Sequence, residues 1–226
     1  MISSFPSECI LDRGFEKESS VEGEDPLFIQ RLQKRDAASF DLLFRQYQCM
    51  VRSLAFQFLG EREEAADLTQ EVFLRIYQNI NKFNGSSTLK TWIYRIVVNS
   101  ALNRRRWWSR RKYGFMVLLE EESPGSPPGK LLGLQLRTPQ PSPEQQASRW
   151  ELVNMLIKAF TRLPMDQRIA VVLRDLEGMS YEEMATLLSL SLGTVKSRIA
   201  RGRESLRREL SPALHGGWIR HPWQAR

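Results

Sequence analysis

The sequence predicts an all-α protein of two small helical domains joined by a Pro/Gly-rich linker, and three observations lead there. Apolar residues recur at three- and four-residue steps through 26–113 and again from Glu144 onward, the period of a single buried helix face. No stretch alternates apolar and polar residues as a half-buried strand would. Between Pro124 and Pro143 fall six of the eleven prolines, mixed with Gly125, Gly129 and Gly133, a composition that sustains neither a helix nor a central strand. The chain therefore divides into a Ser/Glu-rich, mostly disordered leader at 1–25, a helical domain at 26–113, a linker at 114–146, a second helical domain at 147–210 and a tail at 211–226.

In the first domain the inward positions are Phe28 and Leu32, then Phe40, Leu43, Phe44, Tyr47 and Val51, then Leu54 and Phe58. Gly60-Glu-Arg-Glu-Glu reads as a turn followed by an acidic helix start, which suits the positive end of the helix dipole. The next helix sets Ala65, Leu68, Val72, Phe73, Ile76 and Ile80 on one face, with Asp67, Gln70, Glu71 and Arg75 opposite. A break at Asn84-Gly85-Ser86-Ser87 follows. From about Thr88 a helix runs into an arginine-rich stretch, with Leu89, Ile93, Ile96, Val97 and Ser100 inward; Trp92 is expected in that core rather than as a stacking platform. Within the linker, Leu131-Leu132-Gly133-Leu134 is apolar enough to suggest a docking surface. The second domain opens on Trp150, Val153, Leu156, Ile157 and Phe160, stops at Leu163-Pro164, and continues as a helix over Asp166 to Leu176 closed by Glu177-Gly178.

Composition narrows the function. An apolar content of 42% with 10% aromatics builds packed cores. Two cysteines, Cys9 and Cys49, make no disulfide framework, no Cys/His set has metal-ligand spacing, and a reducing compartment is expected. No apolar run approaches the ~18 residues of a membrane span, so a cytoplasmic protein without membrane insertion is expected, with no cofactor. Neither a phosphate-binding Gly-rich loop nor a His-centred catalytic set is present, both histidines lying in the tail, so the chain is not expected to be an enzyme.

Charge is concentrated. Arg104 to Tyr113 (RRRWWSRRKY) carries +6 and Ser191 to Arg208 (SLGTVKSRIARGRESLRR) carries +5, leaving −4 for the rest of a chain whose net charge is +7. Two separated basic patches suit a polyanion held at two places, because neutralising phosphates releases condensed counterions; the alternative is a pair of solvated helix faces.

The second patch lies in GMSYEEMATLLSLSLGTVKSRIARGRESLRR (Gly178 to Arg208). Ser180 and Glu183 form a capping box for a short helix with Met184, Leu187 and Leu188 inward. After a tight turn at Ser189 to Ser191, Ser191 caps a second helix with the inner stripe Val195, Ile199, Gly202 and Leu206. At ~100° per residue, Gly193, Ser197, Ala200, Arg201 and Glu204 lie opposite, flanked by Lys196 and Arg203. This is the pattern of a helix-turn-helix. Gly193 and Ala200 admit close approach to a major groove, Lys196, Ser197 and Arg201 reach base edges, and Arg198, Arg203, Arg207 and Arg208 suit phosphates. The motif alone leaves repressor, activator or another factor open, as well as a plain helical hairpin with a basic face.

Two stretches together, DLTQEVFLRIYQNINKFNGSSTLKTWIYRIVVNSALNRRR (Asp67 to Arg106) and LPMDQRIAVVLRDLEGMSYEEMATLLSLSLGTVKSRIARGRESLR (Leu163 to Arg207), resemble regions two and four of bacterial RNA polymerase sigma factors, specifically the two-domain extracytoplasmic-function (ECF) group of the sigma-70 superfamily. The resemblance covers roughly 26–113 and 147–210. It implies a factor that binds core RNA polymerase and directs promoter-specific initiation. The face Asp67, Gln70, Glu71, Leu74 and Arg75 would dock on a coiled coil of the largest polymerase subunit. The loop Asn84 to Thr88, with Asn84, Ser86, Ser87 and Thr88, would enclose a base flipped from the melted minus-10 element, a step that costs a few kcal/mol and needs a compensating pocket. Asn99 would read that element, Arg95 would hold phosphate, and Arg104, Arg105 and Arg106 would follow the promoter backbone, with Trp107 and Trp108 in the same run. Gly193, Thr194, Lys196, Ser197, Arg198, Ala200 and Arg201 would meet the minus-35 duplex. The linker would thread the polymerase cleft, and any anti-sigma factor would be a separate protein. A duplex-binding repressor or activator and a nucleic-acid-modifying enzyme are the rivals; the first would bind its operator tightly without polymerase, and the second lacks a catalytic carboxylate or metal set.

Overall fold

The computed structural model describes residues 25–112 and 154–215, and the chain falls into two compact units. The leader, the linker with its Leu131–Leu134 segment, Trp150 and His221 lie outside the described residues, as do the side chains of Arg106, Trp107, Trp108 and His215. Among the described residues every regular element is helical.

The first unit holds α1 (Pro26–Gln33), α2 (Ala37–Leu59), α3 (Arg62–Asn79), a short 3₁₀ turn (Ile80–Lys82) and α4 (Leu89–Lys112). Its boundaries follow local chemistry. Asp25 caps α1 ahead of Pro26, whose missing N–H is no loss in a first turn. Asp36 caps α2 by accepting from the Ser39 amide at 2.8 Å and hydroxyl at 2.6 Å. Gly60 closes α2 at φ +81°, donating to Phe56 O at 2.7 Å, a left-handed conformation that glycine adopts without a Cβ penalty. α3 then begins with Glu63 and Glu64 in its first turn.

The core of this unit is the expected stripe: Leu32, Leu43, Val51, Leu54 and Phe58 from α1 and α2, Leu68, Val72 and Ile76 from α3, and Ile93 and Val97 from α4 are buried. Phe44 departs from it. Its ring is 43% exposed and rests on Phe73 at 4.7 Å between centroids, because α2 is long enough for the inward stripe to pass through Leu43 and Tyr47 and leave the adjacent position outside. Phe40 likewise meets Tyr77 edge-on at 4.8 Å, with Arg35 over the tyrosine ring. Trp92 is half-buried, tilted against Phe83 at 5.6 Å.

The second unit holds a helix over 154–162 (α5), α6 (Met165–Val171), α7 (Tyr181–Leu188) and α8 (Leu192–His215). α6 does not run as one α-helix to Leu176; it widens into a π turn over Val172–Leu176, a local insertion that apolar periodicity does not reveal. Gly178 at φ +72° then turns the chain. The buried Arg168 donates to Thr161 O and, at 3.2 Å, to Leu163 O, satisfying carbonyls left over at the end of α5.

Ser180 and Glu183 make the expected capping box, Ser180 N donating to Glu183 Oε2 at 2.7 Å and Glu183 N to Ser180 Oγ at 3.1 Å. Hydrogen bonds from Ser180 hold the Glu183 carboxyl below its ordinary range, and those from Ser39 do the same for Asp36. A depressed folded-state pKa adds stability above the ordinary carboxylate range and loses it as pH falls through the lowered folded value. The thermal midpoint of wild type is therefore expected to fall relative to Glu183→Gln, whose amide oxygen still accepts from Ser180 N, between about pH 7 and about pH 3. A constant difference between the two across that range would contradict the capping account.

Candidate nucleic-acid interface

In the second unit, α7 and α8 meet through Met184, Leu187, Val195 and Ile199, all buried. Ser191 caps α8, accepting from Thr194 N at 3.2 Å and sharing a hydrogen bond with the Thr194 hydroxyl at 2.9 Å. This leaves Gly193, Lys196, Ala200 and Arg201 exposed on one side of α8. Ser197 is half-buried and its hydroxyl donates to Thr194 O at 2.9 Å, so its lone pairs rather than its proton face outward. Gly202 sits where α8 crosses α6, and a Cβ there would lie 2.6 Å from Val171 Cγ2 and 3.2 Å from Gln167 O.

Three arginines expected at phosphates pair with acids within the unit. Arg203 makes a two-pronged pair with Asp175, Nε to Oδ2 at 3.1 Å and Nη2 to Oδ1, and its hydrogen bond to Asp175 holds the guanidinium above its ordinary pKa. Arg198 lies 3.4 Å from Asp166 in the first turn of α6. Both acids precede α7 in the chain, so no local pattern in α8 marks them. Arg207 pairs with Glu204 on the same helix at 2.7 Å. Lys196 lies 5.6 Å from the Tyr181 ring centroid, which Arg174 also approaches at 4.6 Å; Tyr181 and Arg174 were not among the residues expected at this surface.

In the first unit, the loop between the 3₁₀ turn and α4 presents short polar groups. Asn84 Oδ1 accepts from Ser86 N at 3.1 Å, with Gly85 at φ +74° between them. Thr88 caps α4, accepting from Thr91 N at 3.1 Å and hydrogen-bonding its hydroxyl at 2.8 Å. Asn84, Ser86 and Thr88 are exposed and Ser87 is half-buried. Phe83, which precedes this loop, packs its ring against Trp92 of α4 and is tied to α1 by Gln33 Nε2 donating to Phe83 O at 3.0 Å. Along α4 Asn99 is exposed, while Arg95 is half-buried with its Nε lacking a hydrogen-bond partner.

On α3, Asp67, Gln70 and Leu74 are exposed, Leu74 by 61%, and Glu71 pairs with Arg75 at 2.7 Å. Arg104, expected along DNA, instead turns to this helix and meets Glu64, Asp67 and Glu71. Burial opposes its charge, but Glu64 and Asp67 more than offset that and raise its pKa above the ordinary value. Arg105 is exposed.

A helix-turn-helix with a basic outer face in one unit, and in the other a polar loop beside a helix that ends in arginines, define a two-part factor for nucleic acid. Family models for Sigma-70 region 2 and Sigma-70, region 4 match residues 43–111 and 154–206. The RNA polymerase sigma-H factor of Pseudomonas aeruginosa is 35% identical over 191 residues, 84% of this chain and 96% of that protein. The ECF RNA polymerase sigma-E factor of Escherichia coli strain K12 is 34% identical over 190 residues, covering 84% and 96%. In fold the chain is similar to the sigma factor RpoE in its complex with the anti-sigma factor NepR from Bartonella quintana, with a TM-score of 0.57 at 24% identity over 76% of this chain and 96% of that one. It is also similar to CnrH in complex with the cytosolic domain of CnrY, with a TM-score of 0.56 at 20% identity over 84% and 98%. The chain belongs to the sigma-70 family of RNA polymerase sigma factors, in its ECF group.

Proposed function

We propose that this sigma factor binds core RNA polymerase through the α3 face, reads duplex minus-35 DNA with α8, and captures a flipped minus-10 base in the Asn84–Thr88 loop. Strand opening is driven by binding energy, with no catalytic chemistry of its own. The single observation that carries the reading is the 35% identity to a sigma factor over 84% of the chain, spanning both the loop-bearing unit and the helix-turn-helix. The exposed Gly193, Lys196, Ala200 and Arg201 support the duplex contact, since small residues admit the helix and long basic ones reach base edges. The exposed Asn84, Ser86, Thr88 and Asn99 support the single-strand contact. The protein works in the cytoplasm, consistent with no described helix being long and apolar enough to cross a membrane. A separate anti-sigma factor is its regulator, as NepR is named for RpoE.

Promoter binding with and without core polymerase tests this against a stand-alone repressor. A sigma factor binds weakly alone and tightly with core; equal affinity in both conditions would favour the repressor. Within the same reading, Asn99→Ala is expected to reduce open-complex formation more than closed-complex binding. Permanganate footprinting that showed undiminished melting would remove Asn99 from the role.

A further inference from the structure

The basic run of α4 begins with Arg104, and its guanidinium meets a different carboxylate of α3 at each nitrogen. Nε donates to Glu64 Oε2, Nη2 to Asp67 Oδ2 at 3.3 Å, and Nη1 lies 3.7 Å from Glu71 Oε2. The Arg104 side chain is 18% exposed and that of Glu64 23%, so this pair is screened less than a surface pair, while the Asp67 carboxylate at the other end of the guanidinium stands 67% exposed. Glu64, Asp67 and Glu71 follow at steps of three and four, which stacks three like charges along one side of α3. A planar guanidinium with five donors is the side chain able to face all three at once. Glu71 is also held from its other side by Arg75.

We propose that Arg104 is a positioning residue of the polymerase-docking face, and that it is withheld from promoter DNA. It fixes the carboxylates of Asp67 and Glu71 on α3 for the polymerase, while the promoter backbone is left to the arginines that follow it. This rests on the α3 docking reading above. The first residue of an apparently uniform basic patch thus serves the opposite interface from its neighbours.

The test uses the full chain, measuring its affinity for core polymerase by fluorescence anisotropy and the salt dependence of promoter binding by the holoenzyme. Arg104→Ala is expected to weaken core binding by about threefold to tenfold and to leave the slope of log affinity against log salt unchanged. Arg104→Met, which keeps the aliphatic packing, is expected to do the same. Arg105→Ala is expected to make that slope shallower by about one. Arg104→Lys restores part of the core affinity, because one ammonium cannot face three carboxylates. In an Asp67→Asn, Glu71→Gln background, Arg104→Ala adds no further loss. A slope shallower by about one with core affinity intact would place Arg104 on a phosphate and overturn the proposal. So would a lowered unfolding midpoint with both binding measurements unchanged, which would make it a staple between α3 and α4. Failure of wild type to bind core polymerase would remove the docking reading itself, an outcome separate from either.

Discussion

Replacing Gly202 by valine is expected to destabilise the second unit by about 3 kcal/mol. The added Cβ would lie 2.6 Å from Val171 Cγ2 and 3.2 Å from the Gln167 carbonyl oxygen. Neither yields easily: Val171 is fully buried and stiff at χ1, and the carbonyl belongs to the α6 backbone. Alanine brings the same first clash, partly offset by a gain of roughly 1 kcal/mol in helix propensity over glycine, so its effect is smaller. Valine adds two further methyl groups at the crossing and recovers less propensity. Urea unfolding of the full chain is expected to show an earlier transition in the second unit, with loss of minus-35-dependent transcription and retention of core binding. An unchanged transition would mean that α8 and α6 are not in close contact at Gly202.

Arg201→Ala carries the largest expected effect on specificity. Arg201 is exposed on the outer side of α8, opposite the buried Val195, Ile199 and Leu206, and none of the ion pairs that engage Arg198, Arg203 and Arg207 includes it. Loss of an arginine contact to a base edge removes roughly 1 to 3 kcal/mol of discrimination at one position. Competition among promoters differing in the minus-35 element is expected to show relaxed preference with core binding intact. Arg208→Ala, at an exposed position that we propose meets phosphate, is expected to weaken all of those promoters alike. Preference unchanged by Arg201→Ala would move base reading elsewhere on α8.

The contrast between Arg201 and its neighbours also marks how far the sequence could be read. Periodicity placed Val195, Ile199, Gly202 and Leu206 inward because a helix face repeats locally, and Ser180 with Glu183 announced a helix start because both partners lie within one turn. Ion pairs between helices have no such signature. Arg203 finds Asp175 across 28 residues and Arg104 finds Glu64 across 40, so the basic pattern around each, and for Arg104 the family resemblance as well, points to DNA instead. The π turn at Val172–Leu176 and the burial of Arg168 are likewise tertiary outcomes, in an apolar run that reads as plain helix. Phe44 failed for a different reason: a long helix with aromatic residues on adjacent faces offers two plausible stripes, and packing against α3 selects one. The separation of loop-bearing and helix-turn-helix units was legible because six prolines interrupt both periods.

Run-off transcription with purified core polymerase and a library of genomic promoter fragments tests the central claim most directly. The account predicts that adding this protein yields discrete transcripts from a subset of fragments sharing paired minus-35 and minus-10 elements, and that core polymerase alone yields none of them. Absence of stimulated, promoter-dependent transcripts across the whole range of salt concentrations would contradict it.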